Sequence, residues 1–152
     1  MDTQKTIDDL NFLIAVNADR IEQFQTAKDD AELPRLRQLF QRIALESAGH
    51  IAQLTACIRA EGGEVEQGTT LSGNLHKLWV NVKSPLSGRE ASAILEAIRC
   101  AERATIAAYD RIIAESSHDL PEPIFELVQH QRRTIVESCQ TVQRLSAEPT
   151  ER

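Results

Sequence analysis

A histidine and a glutamate are the side chains whose type and spacing could best do chemistry in this chain. His50 follows Ser47 at the i, i+3 spacing of one helix face, and Glu102 falls on the apolar stripe of a later helical stretch. Imidazole nitrogen and carboxylate oxygen together suit iron or manganese, so His50 and Glu102 are the candidate metal ligands. A di-metal centre inside a helical bundle asks for more: one Glu from each of two helices and a Glu-x-x-His from each of the other two. Ser47 stands where the first residue of Glu-x-x-His should be, and Glu46 is rotated about 100° from it around the helix. On the first helical stretch Glu22 points off the stripe, and the last stretch has no Glu-x-x-His. The set amounts to an incomplete or degenerate di-metal site. His50 has a second reading, histidine phosphotransfer, which needs an exposed imidazole. Gly49 beside it is small, but Gln53 stands one turn on, where a lysine would help.

The remaining inward polar residues read as structure. Asn17, Ser47, Gln131 and Ser138, with His50, Glu102 and Thr105, fall on otherwise apolar stripes and are expected to form one hydrogen-bonded core layer. Left unpaired, each buried polar group would cost about 1–3 kcal/mol. Tyr109 is expected in the core with a bonded hydroxyl. His76 and Trp79 lie one turn apart, a pair for packing or for an interface. His118 and His130 are expected in solvent, as is the short basic run Gln131-Arg132-Arg133 apart from Gln131. Cys57, Cys100 and Cys139 are odd in number and show no CxxC, which points to reduced thiols in a cytoplasmic protein. There is no Gly-rich phosphate loop and no nucleophile elbow.

Four helical stretches must position these groups. They run roughly over Thr3–Lys28, Glu32–Glu61, Arg89–Glu115 and Glu122–Leu145. Their stripes include Ile7, Leu10, Ile14, Ile21 and Phe24; Leu36, Phe40, Ile43, Leu54 and Ile58; Ile94, Leu95, Ile98, Tyr109 and Ile112; and Ile124, Val128, Ile135, Val142 and Leu145. Gly62-Gly63 stops the second stretch. Ser87-Gly88-Arg89-Glu90 reads as a capping box for the third. Asp29 or Asp30 is the expected cap of the second, and Asp119 with Pro121 opens the fourth. Short links join stretches one and two and stretches three and four, so each pair is an antiparallel hairpin. About two dozen residues separate the hairpins, enough to return along a helix about 42 Å long. Within them Leu71, Leu75, Leu78, Trp79 and Val82 recur at helical spacing, so a short crossover helix is expected.

The chain has 152 residues, 23 Asp plus Glu, 17 Lys plus Arg and a net charge of −6. That fits one domain over 1–147 with a polar tail over 148–152. The acidity argues against a nucleic-acid partner, and no apolar run approaches a membrane span of about 20 residues. The first residues, MDTQKTIDDL, do not read as a signal peptide.

Four passages carry a resemblance: LNFLIAVNADRIEQFQTA, PRLRQLFQRIALESAGHIAQL, LSGNLHKLWVNVKSPLSG and AILEAIRCAERATIAAYDRII. The third holds Leu71, Gly73, His76, Trp79, Lys83 and Gly88 in a specific pattern. The chain resembles a bacterial family of ferritin-like four-helix-bundle proteins known only as a domain of unknown function. The resemblance implies an all-α, ferritin-like four-helix bundle, two antiparallel hairpins joined by a long crossover containing a short helix. It implies no assigned chemistry. The expected role is a non-catalytic structural or interaction module without a cofactor, binding a protein partner or itself as a two-fold dimer.

Overall fold

Asp2 starts the first helix: its Oδ1 accepts from the Lys5 backbone N–H at 3.1 Å, satisfying one of the four orphan donors of a helix N-terminus. In the computed structural model, which describes residues 2–66 and 91–147, the helices are α1 (Thr3–Asp30), α2 (Pro34–Ala60), α3 (Ala91–Ser116) and α4 (Glu122–Ala147). Among the described residues there is no strand, and no helix is long and apolar enough to cross a membrane. The capping box at residues 87–90, the crossover helix with His76 and Trp79, and the tail over 148–152 lie outside the described residues.

One helix start differs from expectation. Asp29 and Asp30 are the last residues of α1, and neither caps α2. That helix begins after Leu33 with no side-chain cap. Pro34 at its first position has no N–H to satisfy, and the N–H groups of Leu36 and Arg37 both reach the Leu33 carbonyl at 3.1 Å. Asp119 lies in the α3–α4 turn, where its own N–H and that of Leu120 bond the Ser116 carbonyl at 3.0 Å. The Pro121 carbonyl then accepts from Phe125 at 2.9 Å and begins α4.

The stop after α2 is as expected. Gly62 has φ of +84°, in the left-handed region open to glycine without a Cβ penalty. Its N–H bonds the Arg59 carbonyl at 3.0 Å, and that of Gly63 bonds the Ile58 carbonyl at 2.9 Å, the paired bonds of a Schellman motif. Asn11 then clamps the following chain to α1, donating to the Glu64 carbonyl at 3.1 Å and accepting from the Glu66 N–H at 2.9 Å.

Cross-helix bonds define the directions. Lys28 reaches Gln41 and Asn11 reaches Glu64, so α1 and α2 are antiparallel. Lys5 donates to Ser116 and Arg20 to Glu102, so α1 and α3 are antiparallel. Ser138 donates to Glu46, and His50 meets Thr134, so α2 and α4 are antiparallel too. It follows that α2 and α3 point the same way.

The interior is apolar at each end and polar between. One cluster gathers Leu10, Leu13, Leu54, Ile58, Tyr109, Ile112, Val128 and Ile135. The other gathers Phe24, Phe40, Ile43, Leu36, Leu95, Ile98 and Val142. Burying a side chain of this size stabilises by about 1.5–3 kcal/mol. Phe24 and Phe40 tilt against each other at 5.7 Å between centroids. Between the clusters lies a slab of hydrogen-bonded polar side chains contributed by all four helices.

Candidate functional site

The slab has two tiers. Arg20 centres the first, and its residue is 0% exposed. It lies on α1 three residues after Asn17 and four before Phe24, so helical spacing turns it inward. Its Nε and Nη2 donate to the two oxygens of Glu102 on α3, each at 2.9 Å, in the fork-to-fork geometry of a guanidinium on a carboxylate. Its Nη1 donates to Glu46 Oε2 at 2.7 Å and Ser47 Oγ at 2.9 Å, both on α2. The other Glu46 oxygen accepts from Ser138 on α4 at 2.9 Å. The guanidinium also lies 5.5 Å from the Phe24 ring centroid. Burial alone would lower the Arg20 pKa, but Glu102 and then Glu46 outweigh it and raise it, so the group stays a cation.

The second tier is built on Asn17. Its amide Nδ2 donates to the Leu13 carbonyl at 2.9 Å and to the Tyr109 hydroxyl at 2.8 Å. Tyr109 donates onward to Gln131 Oε1 at 2.6 Å, and the Gln131 amide donates to Gln53 Oε1 at 2.9 Å and to the His50 carbonyl at 3.3 Å. Burial raises the pKa of the Tyr109 phenol, so it remains a neutral O–H donor. His50 Nδ1 lies 3.1 Å from Asn17 Oδ1. Both amide donations of Asn17 are to acceptors, so Oδ1 faces the ring and Nδ1 carries the proton. Nε2 is then unprotonated and lies 3.0 Å from Thr134 Oγ1, whose hydroxyl also lies 2.8 Å from the Gln131 carbonyl. Burial first, then the Arg20 charge and His130, lower the His50 pKa to about 4, so the ring is neutral near pH 7.

Of the residues expected in a core layer, Asn17, Ser47, His50, Glu102, Thr105 and Gln131 are buried. Ser138 is half-buried and joins through Glu46. Thr105 turns back on its own helix, donating to the Ala101 carbonyl at 3.3 Å. The two candidate metal ligands take separate partners, Glu102 in the Arg20 tier and His50 in the Asn17 tier. A guanidinium occupies the face of Glu102 that a metal ion would need, so the residues present do not fit a di-metal centre. Among the described residues no group of three or more His, Cys, Asp or Glu side chains is placed to hold a metal ion. Histidine phosphotransfer does not fit either: His50 is 5% exposed, and both ring nitrogens are engaged. Cys57, Cys100 and Cys139 are free thiols, and burial raises the pKa of Cys57 and Cys139. His118 and His130 are exposed.

Sequence reasoning missed Arg20 and set Glu46 aside. The signal for Arg20 was its place on the stripe, between Asn17 and Phe24. Glu46 does lie beside the stripe, but its side chain is long enough to reach back, and it is 23% exposed where it meets Arg20.

A family model described as Domain of unknown function (DUF2383) matches residues 5–115, which covers α1 from Lys5 onward, α2 and all but the last residue of α3. No curated protein and no solved structure matches the chain.

The low pKa of His50 has a pH signature. The folded state binds its proton less readily than the unfolded chain, so stability rises with pH between about 4 and 6.5. Acidification across that window is expected to remove on the order of 3 kcal/mol through this ring alone. Urea unfolding over a pH series is expected to show a shallower acid slope in His50→Gln than in the parent chain. Equal slopes would contradict the assignment.

Proposed function

The chain belongs to that family, and we propose that it is a non-catalytic, ferritin-like helical module that works by association, in the first place with a second copy of itself. Helix order and direction support the ferritin-like part. Two antiparallel hairpins whose middle helices α2 and α3 run the same way are what a long crossover connection produces. Three free thiols support a reducing, cytoplasmic setting.

The observation that carries the non-catalytic part is the Arg20 guanidinium among Glu102, Glu46 and Ser47. A ferritin-like oxidase uses its core carboxylates to bind metal. Here a side chain of the protein itself supplies the cation, and iron or manganese would have to displace it. Dialysis against iron(II) or manganese(II) followed by elemental analysis is expected to leave no stoichiometric metal. A full equivalent of metal, lost in His50→Ala or Glu102→Gln, would defeat the proposal.

The outer face of α2 supports association. Leu45, Ala48, Gly49, Ala52 and Ala56 follow helical spacing and are all exposed, Leu45 to 61%. A glycine within a helix costs about 0.5–1 kcal/mol relative to alanine. Among the described residues a Cβ on Gly49 would meet nothing within 4 Å, so packing between them does not call for the glycine. A second helix crossing closely at this point would. Closed two-fold dimers are the commonest oligomer, and an α2–α2 contact is self-complementary. Light scattering is expected to give a dimer for the parent chain and a monomer for Ala52→Arg, with the urea midpoint per chain held. A parent chain that is monomeric at every concentration would overturn this reading.

A further inference from the structure

Near the start of α2 and the end of α4 the two helices leave a groove of about 280 Å³. Three arginines line it, Arg35 and Arg42 from α2 and Arg144 from α4. Gln38 and Thr141 add an amide and a hydroxyl, and Leu39 and Leu145 supply apolar surface. Among the described residues no carboxylate lines it, in a chain whose net charge is −6. The placement follows from spacing: 35, 38, 39 and 42 share one face of α2, and 141, 144 and 145 share one face of α4. All three arginines are exposed at the groove's edge, and Arg144 Nη2 donates to Thr141 Oγ1 at 3.2 Å, which steadies it there. Among the described residues neither Arg42 nor Arg144 forms an ion pair.

We propose that this groove binds a phosphate monoester bearing a small apolar group. A phosphate monoester carries about −1.5 to −2 charge at pH 7 and presents three acceptor oxygens, which calls for several cationic donors at once. Guanidinium forks match those oxygens two at a time. A carboxylate ligand, with one charge, would leave much of this cationic surface unused. Leu39 and Leu145 provide the contact for the apolar group. Ligand sites run from about 300 Å³ upward, so a groove of this size admits a small ester rather than a dinucleotide. The inference stands apart from the proposed association, which uses a different stretch of α2.

The test is a heteronuclear NMR titration of the full chain at low salt with phenyl phosphate and, separately, inorganic phosphate. Phenyl phosphate is expected to bind saturably with a Kd of about 1 mM or tighter, and inorganic phosphate more weakly. The shifted amides are expected to cluster at residues 35–42 and 141–145. The double variant Arg42→Gln/Arg144→Gln changes exposed side chains only, and is expected to fold with the parent's urea midpoint and to bind at least about tenfold more weakly. No saturation by about 10 mM phenyl phosphate, or equal affinity in the double variant, would overturn the site. Equal affinity for inorganic phosphate would overturn the apolar part. Co-sedimentation with phosphatidylglycerol vesicles in the absence of phenyl phosphate binding would assign the arginines to a lipid surface and overturn it as well.

Discussion

A guanidinium with no contact to solvent must be neutralised where it lies, and the rest of this core is arranged around that requirement. Arg20 is 0% exposed. An uncompensated ion at such depth would cost several kcal/mol even after relaxation. Glu102 meets it from α3, and Glu46 with Ser47 from α2. Ser138 on α4 holds the far side of Glu46. One buried charge thereby sets the relative positions of all four helices. Sliding α1, α2 or α3 by a residue would leave the ion short of a partner, and sliding α4 would part Ser138 from Glu46.

The Asn17 tier continues this logic one turn away with neutral groups. Asn17, His50, Tyr109, Gln131 and Thr134 each offer donors and acceptors that the next one uses. Burial first, and then the positive charge of its neighbour Arg20, explain why the histidine is neutral. The apolar clusters on either side supply most of the drive to fold, since apolar burial is non-directional and large. The polar slab adds direction, because hydrogen bonds and ion pairs tolerate one register and apolar contacts tolerate several.

Much of this could be read from the residues, and the failures have physical causes. Asn17, Ser47, His50, Glu102 and Gln131 announced themselves as polar interruptions of apolar stripes, and all are buried. The hairpins followed from short links. Arg20 escaped because a long cationic side chain on a stripe reads as one that reaches for water. Without it Glu102 looked like a metal ligand in search of a metal. Its true partner lies 82 residues away in sequence, on α1, and periodicity is blind to that distance. The α2 cap differs because α1 runs on through Asp29 and Asp30 before it stops, and Pro34 makes a cap less necessary.

The central claim is that Arg20 and Glu102 form a coupled pair on which the core's assembly depends. Urea unfolding of the parent chain, Arg20→Met, Glu102→Leu and the double variant measures that coupling directly. Arg20→Met leaves the buried Glu102 without its cation, and Glu102→Leu leaves Arg20 with Glu46 as its one carboxylate. Each should cost about 3–5 kcal/mol, while the double change should cost less than the sum by at least about 2 kcal/mol. Additivity to within about 0.5 kcal/mol would show that the two residues do not act as a pair, and would contradict the account.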